Sequence, residues 1–310
     1  MNEWSPEAVV VGAACLDIKG RVPGRVHPGT SNPGSVRITV GGVARNIAEN
    51  LARLGTRTSL LAVVARDAFG HQIVKHTGAA GVDISQVLFS HKQHSSAYLA
   101  IVDGEGNLTG AVDDTSLISE LSARYVYDRR RLFRAACMVV VDANTPVQTA
   151  ETVIRLARSY DVPLCLDPVS FDLAQRYRDH VTRFQLLTCG GMEAGALFGR
   201  PVTSRREAAV VARGLVAAGM GVVLINLGPA GVVYASAENN GYVPAIQCEI
   251  VDPTGAADAL TAAVIHGLVN GIPLDEAVWL GVSAATLTLQ SEETVRGDLS
   301  LDLLYQQLVS

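Results

Sequence analysis

The sequence predicts an α/β fold in which a mostly parallel central sheet is covered by helices on both faces, with a small β lid beside it. Short apolar runs that are typical of buried strands alternate with segments of helical periodicity along most of the chain. Such alternation indicates a parallel sheet between two helical layers. The 310 residues, 48 % hydrophobic and 18 % charged, suffice for a large core and allow two domains or one large domain with an insert.

The elements are predicted in chain order from these patterns. The strands read from apolar runs are 9–12, 59–64, 137–141, 163–167, 186–188 and 222–227. The helices read from apolar residues three and four positions apart are 44–54, 149–159, 205–218 and 256–269. Gly55, directly after the first of these helices, predicts its end.

Two stretches interrupt this rhythm. Residues 19–40 contain three prolines and four glycines and end in VRITV, where apolar and polar residues alternate. Apolar and polar residues also alternate in residues 94–113, which contain the turn DGEGN. The second stretch predicts a hairpin. Because both stretches lie between α/β units, we expect them to pair as a small lid formed by about residues 19–43 and 93–113.

Composition excludes several classes of protein. The net charge is −5, and the basic run at residues 129–134 is better explained as a solvated helix face, so we expect no nucleic-acid partner. The five cysteines form no Cys-x-x-Cys pair, which argues against a disulfide scaffold or a zinc ribbon. No apolar segment is long enough to span a bilayer and no export signal is visible, so we expect no membrane association and a cytoplasmic location.

The segment VDPTGAAD at 251–258 places the small residues Gly255, Ala256 and Ala257 at the start of a predicted helix. Small side chains leave backbone N–H groups open there, and these groups with the helix dipole favour an anion such as phosphate. Asp258 follows in the first turn, where a carboxylate can accept a proton from a hydroxyl that attacks phosphorus. The residues alone leave open that Asp258 only stabilises the helix start.

Two further motifs lie where strands end or helices begin. Gly41 and Gly42 precede a predicted helix that carries Asn46, so a ligand can approach the backbone closely and meet an amide side chain. Asp17 follows the first strand, at the edge where open α/β sheets bind ligands, and could accept hydrogen bonds from two sugar hydroxyls. Each also has a structural alternative, a glycine-rich helix cap at residues 41–46 and a turn residue at Asp17.

In this order the motifs resemble the PfkB (ribokinase-like) family of sugar and nucleoside kinases. The resemblance covers essentially the whole chain and includes ARDAFG at 65–70 and INLGPAG at 225–231. It implies one ribokinase-like three-layer α/β/α domain over residues 1–310 and an ATP-dependent kinase that uses Mg²⁺. Within the family the sequence most resembles the pseudouridine kinases, on the segments GGVARNIAENLARLG, VDDTSLISELS, VDANTP, DPVS and SAATLTLQSEETV.

The resemblance implies a role for each matched residue. Asp258 would be the catalytic base, and the N–H groups from Gly255 to Asp258, with Ala256 and Ala257 between them, would bind the transferring phosphoryl group. The residues implied to hold the ribose hydroxyls are Asp17, Gly41, Gly42, Asn46 and Asn144. Those implied along the ATP site are Asn226, Gly228 and Gly231. Glu193 would organise Mg²⁺ through water, and Asp252 would bind a monovalent cation such as K⁺.

The expected reaction is therefore phosphorylation of the 5′-hydroxyl of a nucleoside, above all pseudouridine, to its 5′-phosphate. A free sugar such as ribose, or another nucleoside such as adenosine or inosine, is the alternative substrate. The lid would close over the substrate, and in many relatives it also forms a homodimer contact. We expect the residues that recognise the nucleoside base to lie around Tyr98 and Thr115 in the lid.

Two residues depart from the family pattern. Ala257 stands where the family has glycine, and a negative φ there would make alanine tolerable. Gly190 stands where the family's Asn-x-x-Glu element has its asparagine, three residues before Glu193. The loss at Gly190 motivates an alternative from another class, a catalytically weak sensor that binds a nucleoside.

Overall fold

The computed structural model describes residues 7–91 and 94–309. The strands of this part of the chain are β1 Glu7–Val11, β2 Cys15–Arg21, β3 Ser35–Gly41, β4 Arg57–Leu61, β5 Val63–Ala65, β6 Leu88–Ser90, β7 Ala97–Val102, β8 Leu108–Asp114, β9 Met138–Asp142, β10 Leu164–Asp167, β11 Leu186–Gly190, β12 Val222–Asn226, β13 Val232–Ser236 and β14 Asn240–Val243. Its α-helices are α1 Val43–Arg53, α2 Ala68–Ala79, α3 Ala123–Asp128, α4 Arg130–Ala135, α5 Val147–Ser159, α6 Phe171–Tyr177, α7 Gly191–Phe198, α8 Arg205–Ala217, α9 Ala256–Val269, α10 Leu274–Leu289 and α11 Leu301–Val309.

A large sheet of eight strands forms the centre, in the order β14-β13-β12-β11-β10-β9-β1-β4. From β12 to β4 all neighbours are parallel, while β13 and β14 add an antiparallel edge. Val9 and Val11 of β1 pack into a core with α5 and α8, and Val10 packs on the opposite face with α1, α9 and α10. The sheet is thus covered on both faces, which confirms the predicted three-layer α/β/α fold.

The predicted strand 59–64 is wrong as a single element, because the chain changes partners at Ala62. β4 is the last strand of the large sheet, whereas β5 pairs with β6 in a separate two-stranded sheet. The carbonyl of Ala62 accepts a hydrogen bond from Leu88 N at 2.8 Å, at the point where the new pairing begins. A continuous apolar run carries no signal for such a change of partner.

A small sheet of four strands, in the order β3-β2-β7-β8, lies outside the three layers. β7 and β8 are antiparallel and confirm the predicted hairpin at 94–113. β2 starts at Cys15, earlier than the predicted boundary at residue 19, because it follows β1 after a short turn. Residue 93, where the second lid segment was expected to begin, lies outside the described residues.

No helix within residues 7–91 and 94–309 is both long enough and apolar enough to cross a bilayer.

Candidate active site

The turn before α9 is built around Gly255, which adopts the left-handed conformation with φ 85°. A Cβ atom at this position would lie 1.9 Å from the carbonyl oxygen of Thr294, so only glycine fits. Ala257 is the second residue of α9 and is not among the residues with positive φ, as expected for a tolerated alanine. The N–H of Ala256 makes a long hydrogen bond of 3.5 Å to the carbonyl oxygen of Pro253. The N–H groups in the first turn of a helix have no intrahelical acceptor, so this end can accept an anion.

Asp258 lies in the first turn of α9 and is 7 % exposed. Its Oδ2 accepts a hydrogen bond from Asn46 Nδ2 at 2.6 Å. Burial raises the pKa of Asp258 from 3.8 to about 7, against the opposing effects of the Asn46 hydrogen bond and the Arg45 charge. A carboxyl group with this pKa can accept a proton near neutral pH.

Asn46 is oriented by Arg45, a fully buried side chain. Arg45 donates to Asn46 Oδ1 and to the carbonyl oxygen of Val40, and its Nε donates to the carbonyl oxygen of Gly41 at 3.1 Å. Since the oxygen of Asn46 is engaged by Arg45, its NH₂ group is the part that faces Asp258.

Glu49 neutralises Arg45 one turn further along α1. Its second oxygen accepts from Arg53 Nη2 at 2.6 Å. Burial would raise the pKa of Glu49, but the hydrogen bonds from His76 and Arg53 and the charge of Arg45 hold it at about 2. The buried arginine therefore keeps an ionised partner, and α1 presents a fixed donor to the carboxyl group of Asp258.

Asp17 lies at the buried beginning of β2, opposite the two glycines. A Cβ atom at Gly41 would lie 2.3 Å from Asp17 Oδ2, and one at Gly42, whose φ is 95°, would lie 2.6 Å from the carbonyl oxygen of Ala13. The glycines thus let α1 and the Asp17 carboxylate approach closely. Burial raises the pKa of Asp17, while the charges of Arg45 and Lys19 oppose this rise.

Asp142, which was not among the predicted site residues, joins three segments of the site from the end of β9. Its Oδ2 accepts from the backbone N of Ala13 at 2.8 Å and of Ala44 at 3.0 Å, and its Oδ1 accepts from Asn144 N at 3.0 Å. It is fully buried, and burial raises its pKa to about 6 despite these hydrogen bonds. The motif VDANTP contains this residue, but nothing in the motif indicates three separate donors.

Two adjoining cavities open beside the start of α9. The larger, of about 330 Å³, is lined by apolar side chains of residues 245–250 and α10, and by Asn226, Gly228 and Gly231. The smaller, of about 200 Å³, is lined by Gly190 and by the carboxyl groups of Asp167 and Glu193. Asn226 and Ala257 belong to the walls of both.

A family model described as pfkB family carbohydrate kinase matches residues 5–300. The chain belongs to this family. It is 29 % identical to the pseudouridine kinase of Escherichia coli (strain K12), over 94 % of this chain and 93 % of that protein. It is 27 % identical to the guanosine-inosine kinase of Exiguobacterium acetylicum, over 92 % of this chain and 94 % of that protein.

The fold is also shared with solved structures. The ribokinase of Arabidopsis thaliana, solved with ribose and ATP, superposes with a TM-score of 0.86 and 20 % identity over 98 % of this chain and 99 % of that one. The family match and the kinase relatives identify the protein as a pfkB-family phosphotransferase with an alcohol group as acceptor, a sugar or nucleoside kinase.

The predicted residues of this pfkB kinase fall into two groups around the turn at Gly255. Asp17, Gly41, Gly42 and Asn46 lie on one side of Asp258, and the Asp142 hydrogen bonds bring the backbone of Asn144 to the same side. Asn226, Gly228 and Gly231 form the second group and line the larger cavity together with Ala257, and Asn226 Oδ1 accepts from Gly228 N at 2.9 Å. A Cβ atom at Gly231 would lie 2.3 Å from the carbonyl oxygen of Val243.

Glu193 fills the space that a side chain at residue 190 would need. A Cβ atom at Gly190 would lie 2.5 Å from Glu193 Oε2. Asp167, another carboxyl group that the sequence analysis assigned no role, lines the same cavity, and burial and the charge of Asp258 raise its pKa well above the ordinary value. It accepts from Val169 N at 2.9 Å in a turn where Val169 has φ 62°, a strained conformation for a β-branched residue.

Asp252 has a partner that was not predicted. Both of its carboxylate oxygens lie 2.6 Å from Lys19 Nζ, and Oδ1 also accepts from Thr254 N at 2.9 Å. The two oxygens are thus engaged by an ammonium group and a backbone N–H. This arrangement does not fit a monovalent cation bound at Asp252.

Proposed function

We propose that this kinase transfers the γ-phosphoryl group of ATP to the 5′-hydroxyl of pseudouridine, giving pseudouridine 5′-phosphate and ADP. The single observation that carries the catalytic part is the buried hydrogen bond between Asn46 and Asp258, 2.6 Å long, at the start of α9. It fixes a carboxyl group with a pKa of about 7 directly beside backbone N–H groups suited to a phosphate.

The residues support an in-line transfer. The hydroxyl oxygen bonds to the γ-phosphorus, the bond from that phosphorus to the oxygen shared with the β-phosphate breaks, and Asp258 takes the hydroxyl proton. The N–H groups from Gly255 to Asp258 stabilise the charge on the transferring group. Asp17, Gly42 and Asn46 hold the ribose hydroxyls, so that the primary hydroxyl points at the turn.

The two cavities beside α9 suit ATP and Mg²⁺. The larger one has mostly apolar walls, as an adenine ring requires. In the smaller one, the carboxyl groups of Glu193 and Asp167 are the oxygen donors that Mg²⁺ prefers, and this ion commonly takes one or two carboxylates together with phosphates and water. When bound, Mg²⁺ neutralises phosphate charge.

A polar row on the small sheet supports a nucleoside over a free sugar. Asp17, Tyr98 and Asp113 lie opposite one another across β2, β7 and β8, so their side chains share one face. Burial raises the pKa of Tyr98, and the charges of Asp17 and Asp113 raise it further. This face therefore continues from Asp17 with a phenol and a second carboxyl group, which a free sugar does not need.

Pseudouridine supplies the matching chemistry for this row. Its base is joined to the ribose through carbon, so the ring keeps two N–H donors, whereas the base of uridine keeps one. A carboxylate at Asp113 can accept from the additional donor. The 29 % identity to a pseudouridine kinase over 94 % of the chain supports the same substrate.

A substrate panel tests this proposal. ADP formation is measured with pseudouridine, uridine, adenosine, inosine, guanosine and ribose, and kcat/KM is expected to be highest for pseudouridine. Asp113→Asn is expected to lower kcat/KM for pseudouridine by about tenfold and to change that for uridine much less. A higher kcat/KM for guanosine or inosine would favour the function of the Exiguobacterium acetylicum relative, and a higher value for ribose would favour a ribokinase-like sugar kinase.

A catalytically weak nucleoside sensor is the second candidate, and Gly190 is the observation that favours it, because it removes an amide from the metal-side cavity. The intact pair of Asn46 and Asp258 argues for turnover. Thermal stabilisation by pseudouridine without ADP formation would support the sensor.

We also propose that the small sheet acts as the lid of this site and as a homodimer contact. Its outer face carries five exposed apolar side chains, namely Val36, Ile38, Leu99, Ile101 and Val112. An apolar sheet face of this kind is typical of an interface, and a second copy can cover it symmetrically. Val112→Asp is expected to convert a dimer into a monomer in light scattering, whereas Ala111→Asp, on the opposite face of β8, leaves the dimer intact.

The cytoplasm is our proposal for the location. The five cysteine thiols, all within the described residues, form no disulfide there, which suits a reducing compartment.

A further inference from the structure

Lys19 links the sugar side of the site to the phosphate side. It lies on β2 two residues after Asp17, so the two side chains project from the same face of the strand. Its ammonium group lies 2.6 Å from each carboxylate oxygen of Asp252 and also donates to Thr254 Oγ1. The side chains of Lys19 and Asp252 are only 19 % and 20 % exposed, so solvent screens the pair incompletely.

The pair lies next to the turn that binds the anion. Thr254 immediately precedes Gly255, and its backbone N donates to Asp252 at 2.9 Å. Burial would raise the pKa of Asp252, but the hydrogen bonds from Lys19 and Thr254 outweigh burial and hold the pKa below its ordinary value. Asp252 is therefore an anion close to a site for a polyanion, and the ammonium group of Lys19 is what neutralises it.

We propose that Lys19 is a built-in cation that takes the place of a monovalent metal ion at Asp252. An added ion would have to bind oxygens that Lys19 already engages, and it would meet the positive charge of the ammonium group at short range. Kinase activity is therefore independent of K⁺, and Lys19 acts as a positioning residue that keeps the Gly255 turn favourable for phosphate. This inference rests on the proposed phosphoryl transfer at that turn.

The same contact couples the two halves of the reaction. Since Asp17 and Lys19 lie on one strand, closing β2 over the sugar also sets the ammonium group beside the turn. A free ion would not depend on the position of the sugar. Asp252 is thus neutralised, and the turn made favourable for ATP, only when the small sheet places Lys19 beside it.

Initial rates in N-methylglucamine chloride, with and without KCl at equal ionic strength, test this proposal. Wild-type rates are expected to change less than about twofold with K⁺. Lys19→Ala is expected to lose about tenfold or more in kcat in the K⁺-free buffer, because the charge of Asp252 is left unpaired, and to recover part of it in KCl. Lys75→Ala, at an exposed lysine on α2, is the matched control and is expected to behave like wild type.

Melting temperatures separate this inference from the proposed function, because they need no turnover. K⁺ is expected to stabilise Lys19→Ala more than an equal concentration of N-methylglucamine does, and not to stabilise wild type in this way. Wild-type activation by K⁺ of more than about fivefold, K⁺-specific stabilisation of the wild type, or a Lys19→Ala variant that matches wild type in both buffers would overturn the proposal. If Lys19→Ala does not fold, the two wild-type measurements decide. Absence of ADP formation with every substrate would instead count against the proposed function.

Discussion

The large sheet and the small sheet differ in how much of their strands is buried. All five residues of β9 in the large sheet are buried, whereas all seven residues of β8 in the small sheet are exposed. Asp258, the proposed base, and the Gly255 turn lie at the start of α9, which packs on the large sheet, whereas Tyr98 and Asp113 belong to the small sheet. The comparison indicates that the proposed proton acceptor belongs to the buried region, and the groups proposed to bind the base belong to the exposed one.

Towards their exposed ends, β2 and β3 are joined to the rest of the protein mainly by ion pairs. β2 starts buried and ends exposed, and Lys19 lies opposite Arg37 of β3 in the register. Lys19 pairs with Asp252, and Arg37 pairs with Glu292 and, at 2.7 Å, with Glu293. Partly exposed ion pairs contribute little to stability, so they can hold the small sheet in place without locking it.

The largest expected effect is on the proton acceptor. Asp258→Asn is expected to lower kcat by about 10²- to 10⁴-fold, the range typical for removal of a general base. Nucleoside binding, measured by calorimetry, should persist because the residues proposed to bind the ribose are unchanged. A variant with a rate near that of wild type would refute the assignment of the base.

The same substitution is expected to stabilise the free protein at neutral pH. The pKa of Asp258 is about 7 in the folded protein and about 3.8 when unperturbed, so the stability that the protonated group provides is lost as the pH rises between these values. An asparagine does not ionise. The melting temperature of Asp258→Asn should therefore exceed that of wild type at pH 8 by more than at pH 4.

The next effect tests the two regions directly with two matched carboxylates. Asp142→Ala removes the acceptor of three buried backbone N–H groups and is expected to lower the free energy of unfolding by about 2–5 kcal/mol. Asp103 accepts from the backbone of Glu105 and Asn107 in the exposed turn of the small sheet. Asp103→Ala is expected to cost less than about 1 kcal/mol, because water replaces the lost acceptor. Equal costs in urea denaturation would contradict the comparison.

A third effect concerns pH. Since Asp258 must be ionised to accept the proton and its pKa is about 7, kcat/KM should fall about tenfold per unit as the pH drops below that value. The profile is measured at low nucleoside concentration, where it reports the free enzyme. A profile flat down to pH 5 would show that the base titrates elsewhere.

The smallest expected effect lies at the junction of the two sheets. Arg37→Ala removes both contacts to the 292–293 segment and is expected to raise the KM for nucleoside a few-fold while kcat stays within about twofold. Stability should change by less than about 1 kcal/mol, because the arginine is partly exposed. A large fall in the melting temperature would mean that the small sheet contributes to stability as much as the buried region does.

Much of the site could be predicted because each motif is local. Gly41 and Gly42, Gly255 and Asp258 lie within a few residues of a helix start, where backbone conformation and side-chain size already limit what the segment can do. The helix 256–269 was predicted with its observed limits for the same reason. Arg45 was overlooked inside GGVARN, although Arg45, Glu49 and Arg53 follow one another at intervals of four residues, a recognisable signal for ion pairs on one helix.

The order of apolar runs, glycines and the Asp258 turn along the chain by itself determined the three-layer fold and the family, because periodicity and backbone freedom are properties of short segments. Only the tertiary structure decided that the chain changes sheets at Ala62 and that Lys19 neutralises Asp252. The two partners are 233 positions apart. Their contact depends on where the small sheet lies against the core, and no local sequence pattern predicts a contact between residues so far apart in the chain.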